Sequence, residues 1–120
     1  MAVNGTLELN GEELSIEDLI VAGRNPQIAI SIRESNWKKI GDCRALVEKW
    51  AREEQVIYGV NTSCGGFVNY LLPREKDREF QQNLIRSVTT NVGSYLPDQI
   101  VRITMITRVN SLCRGYSGIK

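Results

Sequence analysis

Asp98-Gln99-Ile100-Val101-Arg102-Ile103-Thr104-Met105-Ile106-Thr107-Arg108-Val109-Asn110-Ser111-Leu112-Cys113-Arg114 reads as a helix with hardly any polar face. Ile100, Val101, Ile103, Met105, Ile106, Val109, Leu112 and Cys113 cover most of its circumference, and Thr104, Thr107 and Ser111 add small, weakly polar surface. Pro97 stands at its start, where a missing N–H costs nothing. A helix that is apolar nearly all round is buried on all sides. The rest of the chain hardly supplies enough partners to surround it. The expectation is a mainly α fold in which this helix lies inside a larger assembly, with further polypeptide or another chain packed against it.

Moving towards the N-terminus, Phe80, Leu84, Val88 and Val92 step along one helical face, with Ile85 beside them, and Gly93 ends the segment. The charged run Arg74-Glu75-Lys76-Asp77-Arg78-Glu79 reads as the solvated start of that helix, with Asp77 as its cap. Residues 35–54 form another amphipathic helix. Trp37, Ile40, Cys43, Val47, Trp50 and Ala51 recur at three- and four-residue steps, and the tryptophans read as core anchors. Near the N-terminus, Thr6-Leu7-Glu8-Leu9 alternates polar and apolar, as a short strand does, and Asn10-Gly11 turns the chain. Ser15 and Asp18 form a capping box for a helix whose apolar face is Ile16, Leu19, Ile20 and Val21, with Gly23 as its stop. Ile28, Ile30 and Ile32 then alternate as a second strand, which pairs with the first in a small two-stranded sheet. Two short strands need packing against helices to persist.

Between the helical segments lies Val56-Ile57-Tyr58-Gly59-Val60-Asn61-Thr62-Ser63-Cys64-Gly65-Gly66-Phe67. Its glycines permit positive φ and close approach of a ligand to the main chain. Loops of this kind, held by rigid helices, are where binding and catalytic groups sit. Composition narrows the chemistry. The net charge of +1 leaves no electrostatic footprint for nucleic acid or an acidic membrane. No stretch approaches the length of a membrane span, and the N-terminus carries no secretory pattern. Cys43, Cys64 and Cys113 are widely spaced and odd in number, so a reduced cytoplasmic setting is expected rather than a disulfide framework. Cys64 has no activator beside it and reads as a small residue. With no histidine in 120 residues, the commonest metal ligand and the commonest general base are both missing, and no metal site is expected. Proton chemistry falls to Tyr, Lys, Asp, Glu or Cys.

Three ordered blocks carry a family resemblance. Tyr58-Gly59-Val60-Asn61-Thr62 followed by Gly65 resembles the tyrosine loop of the aromatic amino acid ammonia-lyases and aminomutases, which use a methylidene-imidazolone (MIO) prosthetic group. Gln82-Asn83-Leu84-Ile85-Arg86-Ser87, followed by Gly93, resembles a helix of that family. Val101-Arg102, Met105, Arg108, Asn110-Ser111-Leu112 and Arg114-Gly115 with Ser117-Gly118 resemble the next helix and its turn. The resemblance covers residues 56–119, about half the chain. It implies that residues 1–120 are a single N-terminal region of a helical-bundle lyase: strand and helix segments over 1–55, the tyrosine loop over 56–73 and two helices over 74–120.

The resemblance also implies roles. Tyr58 is the base that removes the β-proton of an aromatic amino acid. Elimination gives an aryl acrylate and ammonia, and an aminomutase returns the amine to the β-carbon. An unperturbed phenol, with a pKa of about 10, is a poor base at neutral pH, so its surroundings must tune it. Backbone N–H groups of Gly59 or Gly65, a helix N-terminus or the electron-poor prosthetic group are the expected donors. Gly65 lets the main chain close over the substrate. Leu84 and Val88, one helical turn apart, face the aryl ring. Arg102, Arg108 and Arg114 pair with carboxylates or helix ends rather than with substrate, and Asn61 and Asn83 organise loop and helix. Two departures narrow the comparison. Ser63-Cys64-Gly65-Gly66-Phe67 stands where the lyases usually have Gly-Phe-Gly, a form more like the bacterial phenylalanine β-aminomutases. Val88 stands where enzymes acting on histidine or tyrosine commonly carry His, and a valine leaves a polar ring substituent unpaired at about 1–3 kcal/mol. Phenylalanine is the preferred substrate on that ground. No alanine here is followed by Ser-Gly, the triad from which the family builds MIO. The prosthetic group is therefore expected from residues outside this chain, which is inactive alone and works with the remainder or a large subunit of a tetrameric enzyme. The alternative is a non-catalytic homologue that acts as an interaction or regulatory subunit through residues 98–114.

Overall fold

Leu7 and Leu9 are almost fully buried while Glu8 between them is exposed, the alternation that defines strand β1 (Thr6–Leu9). It pairs in parallel with β2 (Ala29–Ile32), Thr6 opposite Ala29 and Leu9 opposite Ile32. Parallel neighbours cannot be joined by a tight hairpin, and helix α1 (Ile16–Arg24) makes the crossover. In this computed structural model, residues 5–63, 65 and 70–119 are described. The remaining helices are α2 (Glu34–Arg52), α3 (Asp77–Val88), entered through a 3-10 turn at Arg74–Lys76, and α4 (Asp98–Leu112). The fold is mainly α with one small sheet, as expected from the sequence. The chain divides into two compact units: Met1–Leu46 with Tyr95–Lys120, and Val47–Ser94.

The first unit is built on an apolar core of Leu7, Leu9, Ala22, Ile28, Ile106 and Cys113. Burying a leucine side chain contributes about 1.5–3 kcal/mol. α1 packs on α4, and Gly23 is where they meet. A Cβ at Gly23 would stand 2.5 Å from Ile103 Cγ1. Gly23 therefore does not stop the helix, which runs on to Arg24; it lets α4 approach. The capping box is present: Ser15 Oγ accepts the Asp18 N–H at 3.1 Å and donates to the Asp18 carboxylate at 2.8 Å. That hydrogen bond holds the Asp18 carboxyl below its ordinary value. Arg102 of α4 donates to the carbonyls of Ala22, at 2.8 Å, and of Ile28, so it serves a helix end, as the sequence suggested. Asn36, 3 % exposed, donates from one Nδ2 to the carbonyls of Asn10 and Cys113, both at 2.8 Å. Asn110 Oδ1 accepts the N–H of Gly11 at 2.9 Å. These amides bind the end of α4 to the loop after β1.

Besides Gly23, three expectations change. Trp37 is 53 % exposed and Trp50 only half-buried, so the tryptophans do not anchor a core among the described residues; the buried residue of α2 is Asn36. α3 ends at Val88, and Val92 lies beyond it with 99 % exposure rather than on its apolar face. Thr89, Thr90 and Asn91 follow Val88, and residues of these types are weak helix formers. Lys76, not Asp77, occupies the N-cap of α3, whose first residue is Asp77. α4 meets the described residues on one side only. Ile106 is buried, but Val101 and Met105 are 42 % and 63 % exposed and line an open groove of about 440 Å³ with Ile30 and Val109. No helix among the described residues is long and apolar enough to cross a membrane.

Candidate active site: the tyrosine loop and the face of α3

The second unit takes in the last turns of α2, from Val47 to Arg52, and the loop that follows. The N–H of Gln55 reaches back to the carbonyl of Trp50 at 3.1 Å, and Glu54 between them takes a positive φ of 58°. This is the left-handed stop that helices commonly use, with a glutamate where glycine is usual. The chain then makes a tight turn. Val60 N–H donates to Ile57 O at 3.1 Å, which puts Tyr58 and Gly59 at the two corners. Gly59 has φ 73°, as a type II turn requires at its second corner. Tyr58 is 64 % exposed on this turn. Among the described residues no hydrogen bond to its hydroxyl is made, so the phenol's place is set by the main chain that carries it.

That main chain is closely tied. Asn61 Oδ1 accepts the Ile57 N–H at 2.8 Å, and Asn61 Nδ2 donates to Gln55 O at 2.7 Å. Thr62 is 1 % exposed, and its Oγ1 accepts the Gly59 N–H at 3.3 Å. The Gly59 N–H, expected from the sequence as a donor that tunes the phenol, is therefore used inside the turn. Ser63 N–H donates to Tyr70 O at 3.1 Å and Leu72 N–H to Asn61 O at 2.9 Å, so residues 61–63 and 70–72 pair as a short antiparallel rung that closes the loop. Gly65 lies in that loop, exposed, with φ 63° and, among the described residues, nothing within 4 Å of the position a Cβ would take. Cys64, read as a small non-nucleophilic residue, lies outside the described residues, as do Gly66 and Phe67.

Leu84 and Val88 stand one turn apart on α3, 37 % and 65 % exposed, with Ile85 62 % exposed beside them. No residue described on α3 is buried. The helix offers an apolar face, while Arg86 and Asn83 hydrogen-bond to each other at 3.4 Å and Ser87 Oγ returns to Leu84 O at 2.7 Å. The structure thus joins Tyr58 and Gly65 in one closed loop and Leu84 and Val88 on one helix. Among the described residues no three Cys, Asp or Glu side chains gather in a metal-binding arrangement. Sequence reasoning named Asn61 only as an organiser and passed over Thr62 and Asn36. An Asn-Thr pair directly after a Gly-containing turn is the usable signal, because both side chains bond readily to nearby main chain.

Residues 14–120 match the sequence profile of the family described as aromatic amino acid lyase. Histidine ammonia-lyase of Streptococcus sanguinis is 37 % identical over 114 residues, which cover 95 % of this chain and 22 % of the relative. Among solved structures, the phenylalanine aminomutase of Pantoea agglomerans superposes with a TM-score of 0.86 at 41 % identity, over 96 % of this chain and 22 % of that one. Histidine ammonia-lyase from Trypanosoma cruzi superposes with a TM-score of 0.88 at 34 % identity, again over 96 % and 22 %. The chain therefore spans about a fifth of the length of the relatives it matches. A match over nearly all of its residues, together with the fold, places this chain in the aromatic amino acid lyase family.

Proposed function

We propose that this chain supplies the catalytic tyrosine loop and part of the aryl pocket of a phenylalanine aminomutase or ammonia-lyase. The observation that carries this reading is the Tyr58 turn. Its main chain is tied at every side, yet it presents the phenol to the outside, 64 % exposed. A side chain selected for packing would be buried; one held out on a fixed turn is placed for contact with something else. The phenolate oxygen of Tyr58 takes the β-proton of the substrate. Gly65, at φ 63° and with none of the described residues against its Cβ position, lets the loop's main chain lie close to the substrate. Leu84 and Val88 offer the phenyl ring an apolar surface without a hydrogen-bond partner, which disfavours a para-hydroxyl or an imidazole.

The MIO group supplies the electrophile that makes the substrate amine a leaving group. This chain has no Ala-Ser-Gly from which to form it, so the group comes from another segment of polypeptide and the chain is inactive alone. On this reading residues 1–120 are the N-terminal region of the enzyme, with the tyrosine loop over 56–73 and two helices over 74–120. The complete form is a cytoplasmic homotetramer. The likeness to the phenylalanine aminomutase of Pantoea agglomerans, at 41 % identity, and the valine at position 88 both favour phenylalanine.

The purified chain incubated with phenylalanine is expected to produce no cinnamate absorbance. Supplying the remainder of a family member, with its Ala-Ser-Gly, is expected to restore turnover, and Tyr58→Phe is expected to abolish it. Cinnamate from the chain by itself would overturn the reading. The open apolar face of α4, with Val101 and Met105 exposed, favours a second one: a non-catalytic subunit that binds a partner through this helix. Association with the partner polypeptide without any effect of Tyr58→Phe would select it.

A further inference from the structure

We propose that Asn61 is the positioning residue for Tyr58, the side chain that does most to set where the phenol stands; this rests on the reading of Tyr58 as the base. All four polar groups of Asn61 are engaged, and together they reach three parts of the loop. Its Nδ2 donates to Gln55 O at 2.7 Å, at the exit from α2. Its Oδ1 accepts the Ile57 N–H at 2.8 Å, and its own N–H donates to Ile57 O at 3.2 Å. Its carbonyl accepts the Leu72 N–H at 2.9 Å, on the returning segment. Ile57, the residue before Tyr58, is thus gripped at both its N–H and its C=O by one asparagine.

The grip matters because Tyr58 has no strut of its own. The ring is exposed, and the turn beneath it depends on Gly59 at positive φ. A glycine corner is free to take other conformations once its neighbours are released. Thr62 assists by accepting the Gly59 N–H, but at 3.3 Å this is the longer contact. Loss of the Asn61 carboxamide frees residues 55–57 on one side while the pairing of residues 61–63 with 70–72 persists on the other. The phenol then moves relative to the loop that carries Gly65. A displacement of about 1 Å from the reacting geometry is enough to cost about 100-fold in rate.

Two variants separate this role from general support. Asn61→Ala removes both side-chain bonds. Asn61→Asp keeps an acceptor for the Ile57 N–H and loses the donor to Gln55 O. In the 120-residue chain, hydrogen exchange of the Ile57 amide is expected to quicken at least 10-fold in Asn61→Ala and to stay near wild type in Asn61→Asp. The Arg33 amide, which donates to Leu9 O in the other unit, is the control and should not change. In the enzyme assembled with the remainder of a family member, Asn61→Ala is expected to lower kcat about 10- to 100-fold with KM within about 3-fold, and Asn61→Asp to fall between. An unchanged Ile57 exchange rate in Asn61→Ala overturns the proposal. So does an intact kcat in that variant where Tyr58→Phe is inactive, which leaves Tyr58 as the base and removes Asn61 from the account. If Tyr58→Phe retains full turnover, the underlying reading fails and this proposal fails with it.

Discussion

The two units of this chain are held together by different means. In Met1–Leu46 with Tyr95–Lys120, apolar side chains from β1, α1, β2 and α4 meet in one core, and Leu9 and Cys113 are 1 % and 0 % exposed. In Val47–Ser94 the buried residue described is Thr62, a polar one, and the order comes from hydrogen bonds over short sequence distances. Val56, Tyr58, Tyr70, Leu71, Ile85 and Val88 are all more than half exposed there. Apolar burial gives cooperative stability, while a hydrogen bond exchanged with water contributes only about 1 kcal/mol net. The candidate catalytic groups therefore sit in the unit with the smaller reserve of stability, as binding elements often do. Fixing a turn locally with Asn61 and Thr62 gives precision without a core.

Variants can break or sharpen that contrast. The largest stability loss is expected from Leu9→Ala, which opens a cavity in the first unit and should cost about 2–5 kcal/mol in urea unfolding. Should it prove neutral, the core does not carry the first unit. Gly23→Ala comes next. The added methyl meets Ile103 Cγ1 at 2.5 Å, and overpacking of this kind costs about 1–3 kcal/mol, more than the helix preference for alanine returns. Calorimetry should show a lower Tm, and a rise would mean that α1 and α4 are not in tight contact at Gly23.

Ser15→Ala removes a helix cap worth about 1 kcal/mol. It also removes the hydroxyl that lowers the Asp18 pKa. A carboxylate whose folded pKa is depressed contributes stability above its unfolded value, about 3.9, and loses it as pH falls through the folded value. The wild-type chain should thus lose more stability than Ser15→Ala between about pH 5 and pH 2, read from Tm at each pH. Equal slopes would remove the Ser15 bond as the cause. The smallest effect is expected in the second unit. Tyr58→Phe and Val88→Ala should each change unfolding free energy by less than about 0.5 kcal/mol, since both side chains are about two-thirds exposed. A large loss at either would show that the site residues also serve packing.

Much of the fold was legible beforehand because its signals are local. The alternation of Leu7 and Leu9 around Glu8 marked β1, Ser15 and Asp18 marked the start of α1, and the apolar band of residues 98–114 marked α4 with too few partners to cover it. The parallel direction of the sheet was not legible, because alternation is the same in either direction. Trp37 misled, since periodicity tells which face is apolar but not whether anything lies against it. Val92 misled because a matching step at the end of a pattern does not outweigh Thr89, Thr90 and Asn91. Of the candidate site, Tyr58, Gly65, Leu84 and Val88 came from the order and spacing of short blocks, and their use in catalysis stands as proposed.

The amino-acid sequence by itself determined the helices in outline, the strands and the Ser15 cap, because each depends on residues within a few positions of one another, and the order of three blocks over residues 56–119 marked the lyase family. The tertiary structure decided what the small and polar residues are for. Gly23 separates two helices only because Ile103, far along the chain, arrives there. Asn36 is buried because its amide meets a carbonyl 77 positions away. Asn61 looks like any loop asparagine until Gln55, Ile57 and Leu72 converge on it. A side chain's propensity is written in its own chemistry, whereas its partners are chosen by how the chain folds back on itself.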